Sequence, residues 1–351
     1  MSGQGYLSGP MATRPQLVNA KGFKLAPELL LKIHNYMVKT RVLEERLIKM
    51  YKQNDGFFWI GGPGEEAFNI PLGMLLKKGH GPEYDYFHGH YRSAGVLLSM
   101  GAEPLDFIRQ MKNTATDPFS AGRNFCGHAS ISKWNVAPIT SPIEVQYSIA
   151  PGTAAGNKRK SRDAITVVTG GDAGTAEGDF ATCLVWSSRP ANPLPILIVV
   201  TNNKWGISTA AEGQHGDHVI ADRGKAFGMK TMVINGLDPE ESYIKLKEAM
   251  DYVRVERKPL LMEAKVSRLY GHSSASGANF VTGEEDPLKT FEDRLESNGL
   301  LTRDKMKQLW DTYNEQMLAY ATQVRSEPQP SAESIWDHVY CGQKGKQGRY
   351  W

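Results

Sequence analysis

The sequence has 351 residues, of which 41 are lysine or arginine and 38 are aspartate or glutamate, giving a net charge of +3. This near balance of charge argues against nucleic-acid binding through a basic surface. No apolar run reaches the roughly eighteen residues of a membrane-spanning helix, so no membrane partner is expected.

The cysteines and the two ends of the chain indicate its class and its domain boundaries. Cys126, Cys183 and Cys341 form no close pair, so neither a disulfide framework nor a zinc-binding pattern is indicated. The start of the chain has no apolar signal core, and we expect a cytoplasmic protein. Residues 1–26 are predicted to be a flexible arm, 27–325 an α/β domain, and 326–351 a tail.

The first half of the domain reads as mostly helical. Residues 27–53 carry an amphipathic pattern that begins at a proline, as the first turn of a helix permits. Glu65 and Glu66 follow a glycine-rich loop and are expected in the first turn of the next helix, where acids are favourable; helix capping and a functional role both remain open. Residues 92–114 look helical with an interruption near Gly101.

The stretch between these helices is rich in aromatic residues and histidine. His88 and His90 could bind a metal from a strand, but no third ligand is obvious. The alternative is an aromatic-lined pocket in which Arg92, beside Tyr91, faces an anion, because a guanidinium matches phosphate geometry. Farther along, in a loop-like stretch, His128 is expected to be a hydrogen-bonded structural histidine.

Two apolar runs in the middle of the chain end in polar residues. The run at 164–168 leads to Asp172, and the run at 194–200 leads to Asn202 and Asn203. Continuous apolar runs of this length suit strands buried on both faces of a parallel sheet. The carboxyl ends of such strands share one edge, where ligands bind. Carboxylate and amide oxygens there would suit Mg²⁺ holding a diphosphate.

The rest of the domain continues the α/β pattern. Further strands are predicted at 231–234 and 260–266, with a short helix at 218–227. Asp238 and the proline after it predict the start of a helix between these strands, and 285–325 is expected to be mostly helical. The fold class is therefore α/β, with a mostly parallel sheet flanked by helices.

The glycines around Asp172 argue against two common nucleotide sites. Counted from Gly171, their spacing differs from the Gly-x-Gly-x-x-Gly fingerprint of nicotinamide enzymes, and no Gly-Lys-Ser or Gly-Lys-Thr follows. A nicotinamide dehydrogenase remains the more distant alternative. The glycines would let the backbone approach a ligand closely and offer amides to an anion.

Several motifs together resemble one family. Gly-Asp172-x-x-x-x-Glu-Gly-Asp followed by Asn-Asn203 is similar to the thiamine diphosphate motif. Gly-Glu-Glu, Tyr-Arg, Gly-Arg, Thr-Ser-Pro and the segment 268–274 occur in the order found in one group of subunits. These are the alpha subunits of the first, decarboxylating component of 2-oxo acid dehydrogenase complexes, and the branched-chain type is the most similar. The likeness spans roughly residues 27–300.

The resemblance implies a fold and a cofactor. It suggests the pyrophosphate-binding half of a thiamine diphosphate-binding fold, with Mg²⁺ held by Asp172, Asn203 and the backbone carbonyl of Trp205. The residues implied in coenzyme binding are Tyr91, Arg92, Ser141, Ile143, Gly171, Asp172, Ala173, Gly174, Asn203 and His272. His272 would face the reacting centre and donate a proton or hydrogen bond, while Arg268 would support its loop.

The resemblance also implies partners and an activity. The chain would decarboxylate a small 2-oxo acid oxidatively and pass the acyl group to a lipoyl-bearing acyltransferase. A separate beta subunit would complete the coenzyme site in an α₂β₂ assembly. Pyruvate and acetoin dehydrogenase alpha subunits are the alternative assignments within the family.

The sequence departs from the family pattern at three places. Ala173 stands where a second glycine is usual, and Thr201 stands where branched-chain relatives often have an arginine. These two differences would suit a catalytically silent assembly subunit of the same fold, although Asp172, Asn203 and His272 are intact. The third departure is the loop after His272, which lacks the usual Asp-Asp pair that would anchor it.

Overall fold

A single parallel sheet organises the chain. The computed structural model describes residues 22–161 and 163–337, and in them five strands pair in the order β1-β2-β3-β5-β4, every pair parallel. The strands are β1 (Tyr86–His88), β2 (Thr166–Gly171), β3 (Ile196–Asn202), β4 (Lys230–Asn235) and β5 (Leu260–Lys265). The predicted mostly parallel α/β architecture is confirmed.

Helices cover both faces of this sheet. The helices of the described residues are α1 (Pro27–Lys52), α2 (Glu66–Leu75), α3 (Ala94–Met100), α4 (Pro104–Met111), α5 (Val145–Lys160), α6 (Gly178–Ser187), α7 (Pro239–Glu256), α8 (Pro287–Ser297) and α9 (Arg303–Val324). None of them is long and apolar enough to cross a membrane, among the residues that the structure describes.

The local signals in the sequence account for most helix boundaries. Gly101 adopts a left-handed conformation with φ of 108° and separates α3 from α4, as expected. The Asp238 side chain accepts hydrogen bonds from the backbone N–H groups of Glu240 and Glu241 at the start of α7. The predicted short helix at 218–227 is a 3₁₀ segment over Ile220–Phe227.

The two faces of the sheet supply two apolar cores, since alternate residues of a strand point to opposite faces. Val167 and Val199 join the larger core with α1, α2 and α7. Val168 and Ile198 join the smaller core, which α5 and α6 cover. Each such side chain, fully buried, contributes about 1.5–3 kcal/mol to stability. The double-sided burial explains why these strands are continuously apolar.

One edge of the sheet positions the polar residues. In the pairing of β2 with β3, Gly171 lies opposite Thr201. The residues that follow these two strands therefore emerge side by side. The short β1 adds its own carboxyl end to the same edge, with His88 opposite Val168. The sequence had not predicted β1 as a strand.

The two ends of the domain are tied to it. In the predicted arm, residues 1–21 lie outside the described residues, whereas Phe23 is buried and packs edge-on against Phe291. In the predicted tail, Glu327 forms an ion pair with Arg109, their atoms 2.9 Å apart. Residues 338–351 lie outside the described residues.

Candidate functional site at the carboxyl edge of the sheet

Asp172 and Asn203 lie next to each other at the ends of β2 and β3. The backbone N–H of Asp172 donates to the carbonyl of Thr201 at 3.2 Å, which continues the strand pairing past Gly171. Both side chains are buried. The structure therefore brings together the acid and the amide that the sequence places about thirty residues apart.

The carboxylate of Asp172 has an open coordination position. Its Oδ2 atom is buried and has no hydrogen-bond partner. Burial raises the pKa of this carboxyl group, while the backbone N–H groups of Asn203 and Ala173 lower it in part. A buried, unsatisfied carboxylate oxygen is costly unless a cation or a proton meets it. This atom therefore has the chemistry of a ligand for a divalent metal ion.

The loop after β3 turns sharply around Asn203. The Asn203 Oδ1 atom accepts a hydrogen bond from the backbone N–H of Trp205 at 3.0 Å. Lys204, between them, has a positive φ of 65°. The Trp205 indole is 39% exposed and lies near the guanidinium of Arg268. The turn thus holds Asn203 and the backbone of Trp205 close together at the rim of the site.

Arg92 links three parts of the site. Its guanidinium donates to the Gly61 carbonyl, and its NH2 group lies 3.2 Å from Nδ1 of His272. Its Nε atom lies 3.8 Å from Oε1 of Glu65. The side chain is buried, so the positive charge is fixed inside the site. An anion would meet Arg92 already positioned by these contacts.

Glu65 is a buried acid next to Arg92. It is the N-cap residue of α2, but its side chain makes no capping hydrogen bond. Burial raises its pKa to about 7; Arg92 lowers it, and the charges of Asp172 and Glu66 raise it further. Glu66 instead pairs with Arg41, with 2.6 Å between Arg41 Nε and Glu66 Oε1. The two adjacent glutamates therefore have different electrostatic surroundings.

His272 is neutral in this environment. Burial and the nearby charges of Arg92 and Arg268 lower its pKa to about 4. Because Arg92 can only donate, Nδ1 of His272 must accept, and the ring proton lies on Nε2. The ring meets Tyr91 edge-on, with centroids 5.9 Å apart. The geometry thus favours a hydrogen-bond donor at Nε2 over an imidazolium that gives up a proton near neutral pH.

Arg268 connects the His272 loop to the turn after β3. Its guanidinium donates to the carbonyl of Gly206 at 2.5 Å and to that of Ile207 at 3.5 Å. Its Nε atom is buried without a partner. Arg268 therefore braces two loops against each other beside Trp205.

The histidines that suggested zinc have other partners. His88 lies on β1 and its Nε2 atom is 3.0 Å from Oγ1 of Thr153. The ring of His90 packs on that of Tyr91, with centroids 3.7 Å apart. Between residues 22 and 337, Arg162 excepted, no group of three or more His, Cys, Asp and Glu side chains could hold a metal. This geometry argues against a zinc site at His88 and His90.

His128 and the 141–143 segment border the same site. The Nε2 atom of His128 is 3.2 Å from Oγ of Ser141, and its Nδ1 atom is 3.1 Å from the Cys126 carbonyl. Burial lowers the pKa of His90, and Arg92, His272 and His128 lower it further. His128 is hydrogen-bonded as expected, and it lies near the predicted ligand residues. Ser141 and Ile143 are exposed at the mouth.

Gly170 and Gly171, at the end of β2, and Gly174 just after it form a cradle around the side-chain carboxyl group of Glu144. A Cβ atom on Gly170 would lie 2.1 Å from Oε2 of Glu144, and one on Gly174 would lie 1.9 Å from Oε1. The backbone N–H of Gly171 donates to Oε1 at 3.3 Å. The cradle therefore holds one carboxyl group and offers it a backbone N–H donor, as glycine-rich loops do for anions.

Ala173 and Thr201, where the chain departs from the family pattern, are accommodated locally. Ala173 starts a 3₁₀ turn, Ala173–Ala176, directly after Asp172. The hydroxyl of Thr201 donates to the Gly170 carbonyl at 3.4 Å. Neither residue blocks the open oxygen of Asp172.

The site contains two buried acids, Glu65 and Glu144, that the sequence analysis did not identify as facing a ligand. Glu65 carried a signal, since it follows a glycine-rich loop, but capping was an equal interpretation. Glu144 carried no signal in the sequence, because only the fold brings its side chain to Gly170 and Gly174. The other residues expected at the site, from Tyr91 to His272, do converge on this edge, and their roles remain predictions.

Comparison with known proteins identifies the family. The model of the dehydrogenase E1 component family matches residues 34–333. The chain is 29% identical to the 2-oxoisovalerate dehydrogenase subunit alpha of Bacillus subtilis over 321 residues, which cover 88% of this chain and 94% of that protein. It is 27% identical to the mitochondrial 2-oxoisovalerate dehydrogenase subunit alpha 2 of Arabidopsis thaliana, with 92% and 69% covered.

A further relative is named for a different substrate. The pyruvate dehydrogenase E1 component subunit alpha of Staphylococcus aureus is 26% identical, over 90% of this chain and 83% of that protein. The resemblance to branched-chain alpha subunits and the thiamine diphosphate-binding fold class, both predicted from sequence, are confirmed. With a family match over most of its length on a parallel α/β sheet, the chain belongs to the dehydrogenase E1 component family.

Proposed function

We propose that the chain binds magnesium thiamine diphosphate at the carboxyl edge of β2 and β3 and acts as the alpha subunit of a 2-oxo acid dehydrogenase. The observation that carries the proposal is the unpartnered, buried Oδ2 of Asp172 beside Asn203. A family that depends on thiamine diphosphate supports the same site.

The metal ligands are assigned by the chemistry of the donors. Asp172 and Asn203 would give a carboxylate and an amide oxygen, and Trp205 a backbone carbonyl. All three are hard oxygen donors of the kind that Mg²⁺ takes together with phosphate oxygens and water. A site with few protein carboxylates is consistent with the absence of a larger ligand cluster in residues 22–161 and 163–337.

The remaining coenzyme contacts are those that the resemblance to the family implies. Tyr91, Arg92 and the backbone of Gly171, Ala173 and Gly174 would meet the diphosphate. Ser141 and Ile143, exposed at the mouth, would meet the aminopyrimidine. When bound, the coenzyme supplies a thiazolium carbanion and an electron sink for decarboxylation.

Residues of this chain would orient the 2-oxo acid substrate and stabilise the negative charge that develops on it. Arg92 fixes the Nδ1 atom of His272 as an acceptor, so the Nε2–H group can donate to a developing negative oxygen on the substrate. Arg268 holds the His272 loop against the turn after β3. The low pKa of His272 keeps the ring neutral, so its role is a hydrogen bond rather than the donation of a proton.

The names of the relatives support a partner subunit for this chain. Their names call them alpha subunits, which supports a beta partner for this chain. We propose an α₂β₂ component in the cytoplasm that passes the acyl group to a lipoyl-bearing acyltransferase. A branched-chain 2-oxo acid is the proposed substrate, in line with the Bacillus subtilis relative, and pyruvate or acetoin is the alternative.

Calorimetric titration of the co-expressed alpha and beta chains tests the proposal. Thiamine diphosphate should bind saturably and only with Mg²⁺, and the complex should decarboxylate a 2-oxo acid in a panel of branched-chain 2-oxo acids and pyruvate. Cleavage of acetoin, which has no carboxyl group to lose, is assayed separately. Asp172→Asn should abolish Mg²⁺-dependent binding. Asp179→Asn is the control, because it also removes a carboxylate from this part of the chain, but one that accepts a hydrogen bond from the exposed Ser148.

A silent assembly subunit is the rival that the Glu144 carboxylate favours, since it lies where the diphosphate would bind. The same titration separates the two functions. Saturable coenzyme binding with turnover supports the enzyme. A complex that assembles but binds no coenzyme, in the wild type and in every Glu144 variant, supports the silent subunit.

A further inference from the structure

Glu144 lies in an unusual position for a glutamate. It is the N-cap residue of α5 and has a left-handed backbone, with φ of 65° and ψ of 4°. A non-glycine residue in this conformation carries a conformational cost, and such residues concentrate at functional sites. The residue is buried, although Ser141 and Ile143 shortly before it are exposed.

The carboxylate of Glu144 fills the space that the glycines leave open. It lies against Gly170 and Gly174, too close for a Cβ on either residue, at 2.1 Å and 1.9 Å. It accepts hydrogen bonds from the N–H of Gly171 at 3.3 Å and from Nε2 of Gln146 at 3.2 Å. These are the positions from which backbone groups would meet a phosphate oxygen.

The electrostatics of this position disfavour a permanent negative charge. Both hydrogen-bond donors to Glu144 are neutral N–H groups. Burial and the nearby charges of Asp172, Asp179 and Glu177 raise its pKa to about 8. A bound diphosphate would add negative charge beside an acid that its neighbours already repel.

We propose that the Glu144 side chain is an internal occupant of the anion cradle, and that diphosphate binding must displace it. The inference rests on the proposed function. Ile143, next to Glu144 in the chain, is 49% exposed, so the segment that must move to release the Glu144 side chain lies at the protein surface. Glu144 thereby sets the affinity of the chain for a diphosphate and lowers it relative to a cradle without the carboxylate.

The test measures binding rather than turnover. Co-expressed alpha and beta chains are titrated by calorimetry with magnesium pyrophosphate and with magnesium thiamine diphosphate. Glu144→Ala, which empties the cradle, should bind both probes about tenfold more tightly, a change of about 1.4 kcal/mol. Glu144→Gln keeps the shape of the side chain but cannot ionise, so above about pH 8 its affinity should lie between those of Glu144→Ala and the wild type.

Glu177→Gln is the matched control. It removes one negative charge from the same loop, but Glu177 is exposed and lies outside the cradle. Its affinity for magnesium pyrophosphate should stay near that of the wild type. An equal gain in Glu177→Gln and Glu144→Gln would assign the effect to general charge and overturn the proposal.

The outcomes separate this inference from the proposed function. Binding by the wild type that stays equal or weakens in Glu144→Ala and Glu144→Gln overturns the occupant role and leaves the function standing. Failure of all variants to bind either probe overturns the proposed function itself. If Glu144→Ala does not fold, as judged by circular dichroism, the comparison of Glu144→Gln with Glu177→Gln decides the question.

Discussion

Glu65→Gln should make the protein more stable at high pH and leave its stability nearly unchanged at low pH. Glu65 is buried, its Oε1 atom has no hydrogen-bond partner, and Arg92 approaches it only to 3.8 Å. A glutamine can take the same place without carrying a charge into the interior. The substitution therefore removes a cost that exists only when Glu65 is ionised.

The magnitude follows from the pKa of Glu65, which burial raises from 4.5 to about 7. Between these values the folded chain keeps a proton that the unfolded chain has released, so the free energy of unfolding falls as pH rises through this window. Above about pH 7 the full cost is present, at most about 3 kcal/mol, since each pKa unit corresponds to about 1.4 kcal/mol. Below pH 4.5 the cost is absent.

The assay is urea unfolding of the wild type and the variant at pH 5 and pH 8, followed by tryptophan fluorescence. Glu65→Gln should exceed the wild type by up to about 3 kcal/mol at pH 8 and by less than about 1 kcal/mol at pH 5. An equal difference at the two pH values, or a loss of stability at pH 8, would refute the reasoning.

The neighbouring glutamate supplies the control. Glu66 accepts from Arg41 Nε at 2.6 Å and from the Gly64 N–H at 2.8 Å. Glu66→Gln weakens a buried ion pair and should lower the free energy of unfolding by about 3 kcal/mol at both pH values. Two adjacent acids thus give opposite results because their partners lie at different distances.

Three further predictions concern the site and the core. His272→Ala should lower turnover by about 10²-fold or more while coenzyme affinity stays unchanged; an unchanged rate in steady-state kinetics would remove His272 from the reacting centre. Tyr147→Phe should lower the free energy of unfolding by about 1–2 kcal/mol, since the Tyr147 hydroxyl donates to the buried Val199 carbonyl at 2.6 Å; an unchanged urea midpoint would contradict this. Chelation of Mg²⁺ should lower the melting temperature of the coenzyme-loaded wild type, but not that of Asp172→Asn; equal shifts in scanning calorimetry would place the ion elsewhere.

The polar edge of the sheet could be predicted because simple rules connect sequence and topology. Two buried strands ending in Asp172 and Asn203, if parallel neighbours, must bring these residues together, and β2 and β3 are such neighbours. The glycine at 101 and the cap at Asp238 likewise marked helix ends through local backbone chemistry.

The elements that escaped prediction depend on contacts distant in sequence. The strand β1 has only three residues, too few to show the two-residue period of a strand in the sequence. Glu144 carries no motif, and its role appears only when α5 packs beside β2 and its carboxylate meets Gly170 and Gly174. The lowered pKa of His272 likewise depends on burial in the fold and on the charge of Arg92, 180 residues away in the chain.

The central claim is that Asp172 and Asn203 hold one divalent ion and, through it, a diphosphate. A crystal structure of the assembled alpha and beta chains with thiamine diphosphate and Mn²⁺ in place of Mg²⁺ measures this directly through anomalous scattering. We predict a manganese peak within about 2.3 Å of oxygens from both side chains and from the diphosphate. A peak away from Asp172, or coenzyme density away from this edge of the sheet, would contradict the account.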